Sequence, residues 1–182
     1  VYRLRQTLHS KLDLEMGAAE EIIRIALDVV PDLVTLVPEK RQELTTEGGL
    51  DVVRQKDHLR KTILRFHEKN IPVSLFVDPI REQIEASKEI GADMIELHTG
   101  EYAEATTESD LKRLLQEIFA AAEYGKQLGL NVNAGHGLNY TNVKPVAQIP
   151  FIDEMSIGHA IISHAVFVGL ENAVKEMLAL VK

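Results

Sequence analysis

The sequence predicts an α/β fold of the (β/α)8 TIM-barrel type, and three features predict it. Six short apolar runs alternate with longer segments of helical periodicity. No hairpin signal joins consecutive runs, so the strands should lie parallel and be linked by right-handed crossovers. Each run also stops at an acid, a histidine or a glycine, and barrels of this type carry their chemistry at that end of the strands. Six units fall two short of a closed barrel, so the first two strands are expected upstream of Val1. An open doubly wound sheet is the competing architecture, but neither G-x-G-x-x-G nor a Walker A pattern follows any run.

The opening Val1-Tyr2-Arg3-Leu4 has no initiator Met and reads as the middle of a helix. Residues 12–16 form the first run, with Asp13 and Glu15 on one face and Leu12, Leu14 and Met16 on the other. The apolar side should meet the helices, so Glu15 is expected to point into the barrel mouth. A helix over 18–30 follows, with Ile22, Ile23, Leu27 and Val30 as its stripe and Glu20 and Glu21 in its first turn. The run 33–37 leads into Pro38-Glu39-Lys40-Arg41 and a polar connection ending in Gly48-Gly49, of a length that is often functional. Helix 51–70 carries Leu59, Ile63, Leu64 and Phe66 on or near one face and stops at Asn70.

Run 73–77 is closed by Asp78, and a helix over 79–90 opens with proline and ends before Gly91. Run 94–97 contains Glu96 and is followed by His98; Ile95 and Leu97 should face outward and the two ionisable residues inward. Helix 109–128 stops at Gly129. Run 131–134 enters Gly135-His136-Gly137, a short helical stretch over 142–149 contains Pro145, and run 155–157 enters Gly158-His159. One long apolar helix, 159–181, ends the chain. Run starts lie roughly 20–40 residues apart, which suits a barrel repeat of about 30. No linker or low-complexity tract divides residues 1–182, so a single domain is expected.

The chain has 182 residues, 45% of them hydrophobic, enough for a real core. A net charge of −8 argues against a broad nucleic-acid footprint, yet leaves room for a small anion held at a helix start. With no cysteine, disulfides and thiol ligands are excluded, and a cytoplasmic setting is expected. No apolar run approaches the roughly 20 residues that span a bilayer, so no membrane role is expected.

Carboxylates near a barrel axis are partly desolvated and flanked by other acids, which moves them toward acid–base range. Glu15 and Glu96 are therefore candidate proton-handling groups, the alternative for each being a structural partner of a nearby cation. His136 sits between two glycines that permit positive φ and close approach of a ligand; the alternative is a tight turn with a solvated imidazole. Gly158-His159 opens a helix just after a strand, where free N–H groups bind anions. His9, His58, His67 and His164 read as helical surface or packing residues. Lys40 could form a Schiff base, and an ion pair with Glu39 or Glu43 is the preferred reading. No H-x-x-x-H spacing indicates a metal site.

Strings across the chain resemble the pyridoxine 5'-phosphate synthase family of deoxyxylulose-dependent vitamin B6 biosynthesis. They are Leu14-Glu15-Met16, Leu36 to Glu43 (LVPEKRQE) with Thr45 to Val52 (TTEGGLDV), Val73-Ser74-Leu75-Phe76, Ile95 to Gly100 (IELHTG), Asn133 to Leu138 (NAGHGL) and Ile157 to Ile162 (IGHAII). The resemblance implies a (β/α)8 barrel with extra helices, assembled as a homo-octamer, without metal or organic cofactor. It implies two phosphorylated small-molecule substrates, 1-deoxy-D-xylulose 5-phosphate and 3-amino-2-oxopropyl phosphate, condensed with release of phosphate and water. It further implies Glu15 as proton acceptor, His136 as proton donor and Glu96 as transition-state stabiliser. Thr45 would contact the deoxyxylulose phosphate, and Gly137, Gly158 and His159 the phosphate of the amino ketone. The family's Asn and Asp-His pair on the first strand, and a His and an Arg after the second, have no counterpart in this chain.

Overall fold

The computed structural model describes residues 1–38 and 48–181. Helix α1 (Tyr2–Thr7) precedes β1 (Asp13–Met16), α2 (Glu20–Val29) and β2 (Leu33–Leu36). After residues 39–47, which hold Thr45 and Lys40 and lie outside the described residues, come α3 (Val52–His67), β3 (Val73–Val77), α4 (Arg81–Glu89) and β4 (Met94–His98). Then follow α5 (Gly100–Glu104), α6 (Glu108–Gln127), β5 (Asn131–Gly135), α7 (Val143–Ala147), β6 (Glu154–Ser156), α8 (His159–Val168) and α9 (Leu170–Val181).

The six strands form one parallel sheet in chain order, each paired with the next. The sheet is curled: Asp13 on β1 feels the charge of Glu154 on β6, although these strands are its two edges. This is a half-barrel, compatible with a closed one. Its convex face is apolar and fully covered by helices, with Val34, Leu36, Leu75, Ile95, Leu97 and Val132 all inaccessible to solvent. Its concave face carries the alternate residues Asp13, Thr35, Ser74, Glu96, Asn133 and Ser156, so burial on one side and polarity on the other follow directly from the period of two.

Three aspartates repeat one device at the amino ends of the strands. Asp32 accepts the N–H of Leu12 at 2.9 Å, Asp93 that of Val73 at 2.8 Å and Asp153 that of Val132 at 2.8 Å. Each is also paired with a basic side chain on the helix that leads into the strand whose amide it accepts: Arg5 at 2.7 Å, His67 at 2.8 Å, and Lys126.

Three expectations need correction, and one element was not anticipated. The single helix over 159–181 is broken into α8 and α9 at Gly169, whose φ of +80° leaves the helical region. Helix α5, five residues long, was too short to carry a periodic signal. Strand β6 starts one residue earlier than its apolar run, at Glu154. His9 lies beyond the end of α1 rather than within a helix. Among the described residues no helix is long and apolar enough to cross a membrane.

Candidate active site

The carboxyl end of the sheet gathers ionisable groups that the sequence spreads over more than a hundred residues. Register alone aligns most of them. His98 lies opposite Gly135, which lies opposite Ser156, and one step lower Phe76, Glu96 and Asn133 form the next row.

Glu96 is only 4% exposed. Its Oε2 accepts from the Ser156 hydroxyl at 2.8 Å, and its other oxygen fits against Gly135, where an added Cβ would meet it at 2.1 Å. Gly135 is thus the residue that makes room for the acid. Burial pushes the Glu96 carboxyl up to about 7; the Ser156 hydrogen bond works against this, and the charges of Glu15 and Asp13 add to it. Glu15 therefore faces the same interior space, from an exposed position on β1. Asp13 is raised as well, by burial first, although the Thr35 hydroxyl that donates to it at 2.9 Å opposes the shift.

Next to Glu96, at the carboxyl ends of β4 and β5, stand two histidines. Their rings lie 5.0 Å apart at 52°, and Phe76 packs edge-on against His98 at 5.0 Å. His98 is buried and its Nδ1 meets the Asp78 carboxylate at 3.1 Å. Asp78 also accepts the Gly49 N–H at 2.8 Å. Burial alone would raise Asp78, but the contacts with His98 and the Gly49 amide outweigh it, and the carboxyl is held below its usual range. An Asp78 contact at Nδ1 favours the tautomer that carries its proton there. A cavity of about 240 Å³ lies on the outer side of this pair, walled by Ile80, Tyr102, Leu114 and Ile118.

His136 is exposed and adopts φ +78°, followed by Gly137 at +76°. The flanking glycines were expected to supply the positive φ; only Gly137 does, and the histidine itself takes the other left-handed position. Such a conformation costs a bulky residue on the order of 1–3 kcal/mol. Gly137 is doubly constrained, since a Cβ there would come within 2.5 Å of the Ala103 methyl. At the next strand, Gly158 precedes α8 and His159 is its first residue, both exposed. Because Gly135 pairs with Ser156, the Gly137 turn and the start of α8 leave the sheet side by side.

The structure thus faces Glu15 toward Glu96 across the interior, sets His136 beside His98, and has the Gly137 turn and the Gly158–His159 helix start follow the paired strands β5 and β6. Asp78, Thr99 and Ser156 were not singled out from sequence. Asp78 could have been: it ends a strand two residues after Phe76, in phase with His98. A larger hollow of about 470 Å³ lies at the opposite, amino-terminal end of the concave face, among Lys11, Asn131 and Glu154. It is the floor of the half-barrel, and its size does not outweigh the grouping of perturbed acid and histidines at the other end. Among the described residues no cluster of three or more His, Asp or Glu could hold a metal ion.

A curled parallel α/β sheet with acids and histidines on its carboxyl rim defines an enzyme of the βα half-barrel class. The chain matches the model of the family described as "Pyridoxal phosphate biosynthesis protein PdxJ" over residues 1–182, and it belongs to that family. It is 54% identical over 179 residues to the pyridoxine 5'-phosphate synthase of Thermodesulfovibrio yellowstonii, covering 98% of this chain and 74% of the relative. The enzyme of the same name from a Synechococcus strain is 55% identical over 174 residues, 96% of this chain and 73% of the relative. That from Geobacter sulfurreducens is 54% identical over 179 residues, 98% and 75% respectively.

Proposed function

We propose that the protein condenses 1-deoxy-D-xylulose 5-phosphate with 3-amino-2-oxopropyl phosphate to pyridoxine 5'-phosphate, releasing phosphate and water, by acid–base catalysis. The observation that carries the reading is the desolvated Glu96, poised near neutral pH, facing Glu15 across the interior and packed against Gly135 beside His136. Closing a pyridine ring from two carbonyl compounds needs protons moved at several carbons, which calls for more than one acid–base group. Glu15, exposed and facing the cavity, takes protons. His136, held by its turn over the mouth, gives them. Glu96 answers charge that develops between the two, and its elevated pKa lets it exchange a proton near pH 7.

The substrate amine supplies the imine nitrogen, so no organic cofactor and no metal is required. The amides at the Gly137 turn and the start of α8, with His159, hold the amino ketone's phosphate. Thr45 contacts the other phosphate. Six strands are the carboxyl-terminal part of an eight-stranded (β/α)8 barrel folded as a single domain. That reading is supported by the curl of the sheet and by the relatives, of which the chain covers about three quarters. Apolar Ile162, Val166 and Phe167 on α8 stand in solvent, which supports burial against further protein in a homo-octamer. A cytoplasmic setting fits, with neither nucleic acid nor membrane as partner.

The test is phosphate release from the two substrates together, in a protein of the relatives' full length. Release that needs both substrates and falls by about 100-fold or more in Glu15→Gln supports the assignment. Binding of either phosphate ester without turnover reduces the protein to a binding module, and borohydride trapping of substrate on Lys40 would make it a Schiff-base aldolase.

A further inference from the structure

We propose that Thr99 is a positioning residue for His136: its hydroxyl holds the left-handed turn that aims the imidazole over the mouth. The proposal rests on reading His136 as catalytic.

Three observations carry it. Thr99 is completely buried, and its hydroxyl spans two carbonyls of the neighbouring strand end, Gly135 at 2.8 Å and His136 at 2.6 Å. Its own N–H donates to the Gly135 carbonyl at 2.9 Å, so the last residues of β5 are gripped from the β4 side by backbone and side chain together. Second, Thr99 is the N-cap of α5, yet its side chain caps nothing there. A threonine at that position ordinarily accepts from the second or third amide of its helix. Here the hydroxyl is spent on the His136 turn instead, at the helix's expense. Third, what it grips is, among the described residues, the one functional candidate other than glycine with a left-handed backbone. Such a conformation persists only where its surroundings over-determine it.

His98, adjacent in sequence, completes the restraint at the level of the ring. Its imidazole is oriented by Asp78 and lies 5.0 Å from that of His136. Gly100 keeps the two rings in contact: a Cβ there would stand 2.5 Å from His98 Nε2 and 3.2 Å from His136 Cδ2. The stretch His98-Thr99-Gly100 is therefore a cradle for a residue on the next strand.

The test compares Thr99→Val, which keeps shape and removes the hydroxyl, with Thr99→Ser, which keeps the hydroxyl. In the full-length protein Thr99→Val should lower kcat about 10- to 100-fold, since small displacements of a catalytic group cost that much. KM for the deoxyxylulose phosphate should stay within about twofold, while that for the amino ketone should rise, because the His136 carbonyl held by Thr99 shares a peptide plane with the Gly137 amide. Thr99→Ser should recover most of kcat. In parallel, the scalar couplings that report φ at His136 should shift in the valine variant and return in the serine variant. A valine variant with unchanged kcat and unchanged couplings overturns the proposal, and so does equal loss in both variants tracking a common fall in Tm, which marks a packing role. If Thr99→Val does not fold, Thr99→Ala replaces it. Should the unmodified protein turn over neither substrate, the functional reading fails, and the His136 couplings alone decide whether Thr99 sets the turn.

Discussion

Glu96 shows how one side chain trades stability for reactivity. Its carboxyl titrates near 7 in the fold against an ordinary value of 4.5, so the folded state binds that proton more tightly than the unfolded chain does. The stabilisation is whole below about pH 4.5 and declines as pH rises through 7, by about 3 kcal/mol in all. Glu96→Gln keeps the size and an acceptor for Ser156 but never ionises. Urea melts should find it more stable than the parent at pH 8, by up to about 3 kcal/mol, and equal to it near pH 4.5. Equal stability at pH 8 would mean that Glu96 is better solvated than its burial indicates. Gly135→Ala reports on the same pocket from the other side, since a Cβ would stand 2.1 Å from the Glu96 carboxylate and must displace it. These constraints explain which site residues were legible in sequence. Glu15, Glu96 and His136 stood out because strand parity and flanking glycines mark them locally. Thr99 and Ser156 did not, because each matters only through a partner at least 36 residues away. The positive φ at Gly137 was legible from the glycine, but that of His136 was not, for the same reason: what holds it comes from the end of β4.

At the scale of elements, the strands were legible because covered convex faces demand apolar residues at alternate positions while the concave face does not. Boundaries slipped where tertiary contacts decide them, as at β6, whose first residue Glu154 is polar and pairs only with Asn133. The break at Gly169 was missed because a glycine within an apolar stripe is tolerated in helices and its φ of +80° has no sequence signal. The triple aspartate device was legible only in retrospect. It recurs at β1–β2, β3–β4 and β5–β6, one per pair of βα units, which divides the half-barrel into three structural repeats. Each carboxylate satisfies the amide at the entry of one strand from the entry of the next, locking their register where the crossover helix arrives. Asp93→Ala leaves the amide of fully buried Val73 without its acceptor and should cost about 1–3 kcal/mol in equilibrium denaturation. Asp93→Asn keeps an acceptor and should lose less than half of that; equal losses would trace the effect to the His67 pair instead.

For the whole molecule, the decisive feature is that β1 and β6 are edges. Among the described residues neither has a second partner, and the space between them is lined by Asp13 and Glu154, which repel each other. The proposed site groups straddle this gap: the proton acceptor Glu15 lies on one edge strand, while the phosphate-holding Gly158 and His159 follow the other. Their separation is therefore set by whatever spans the seam, whereas His98, Thr99 and His136 sit on adjacent central strands and are fixed within the half-barrel. Two consequences differ in kind. The His136 turn and the elevated Glu96 titration should survive in the 182-residue chain, because the burial and Ser156 bond of Glu96, the charges of Glu15 and Asp13 on β1, and the Thr99 hydroxyl all lie within it. Turnover should not. The relatives extend about a quarter of their length beyond the matched region, and any positioning group supplied there would be absent, so the 182-residue chain should show synthase activity at least about 100-fold below a protein of the relatives' full length. Side-by-side assays of phosphate release, with the Glu96 carboxyl followed by NMR in both proteins, separate the two. Activity within a few-fold of the longer protein would show that six strands hold the edge groups in register without help, and the need for closure would have to be given up.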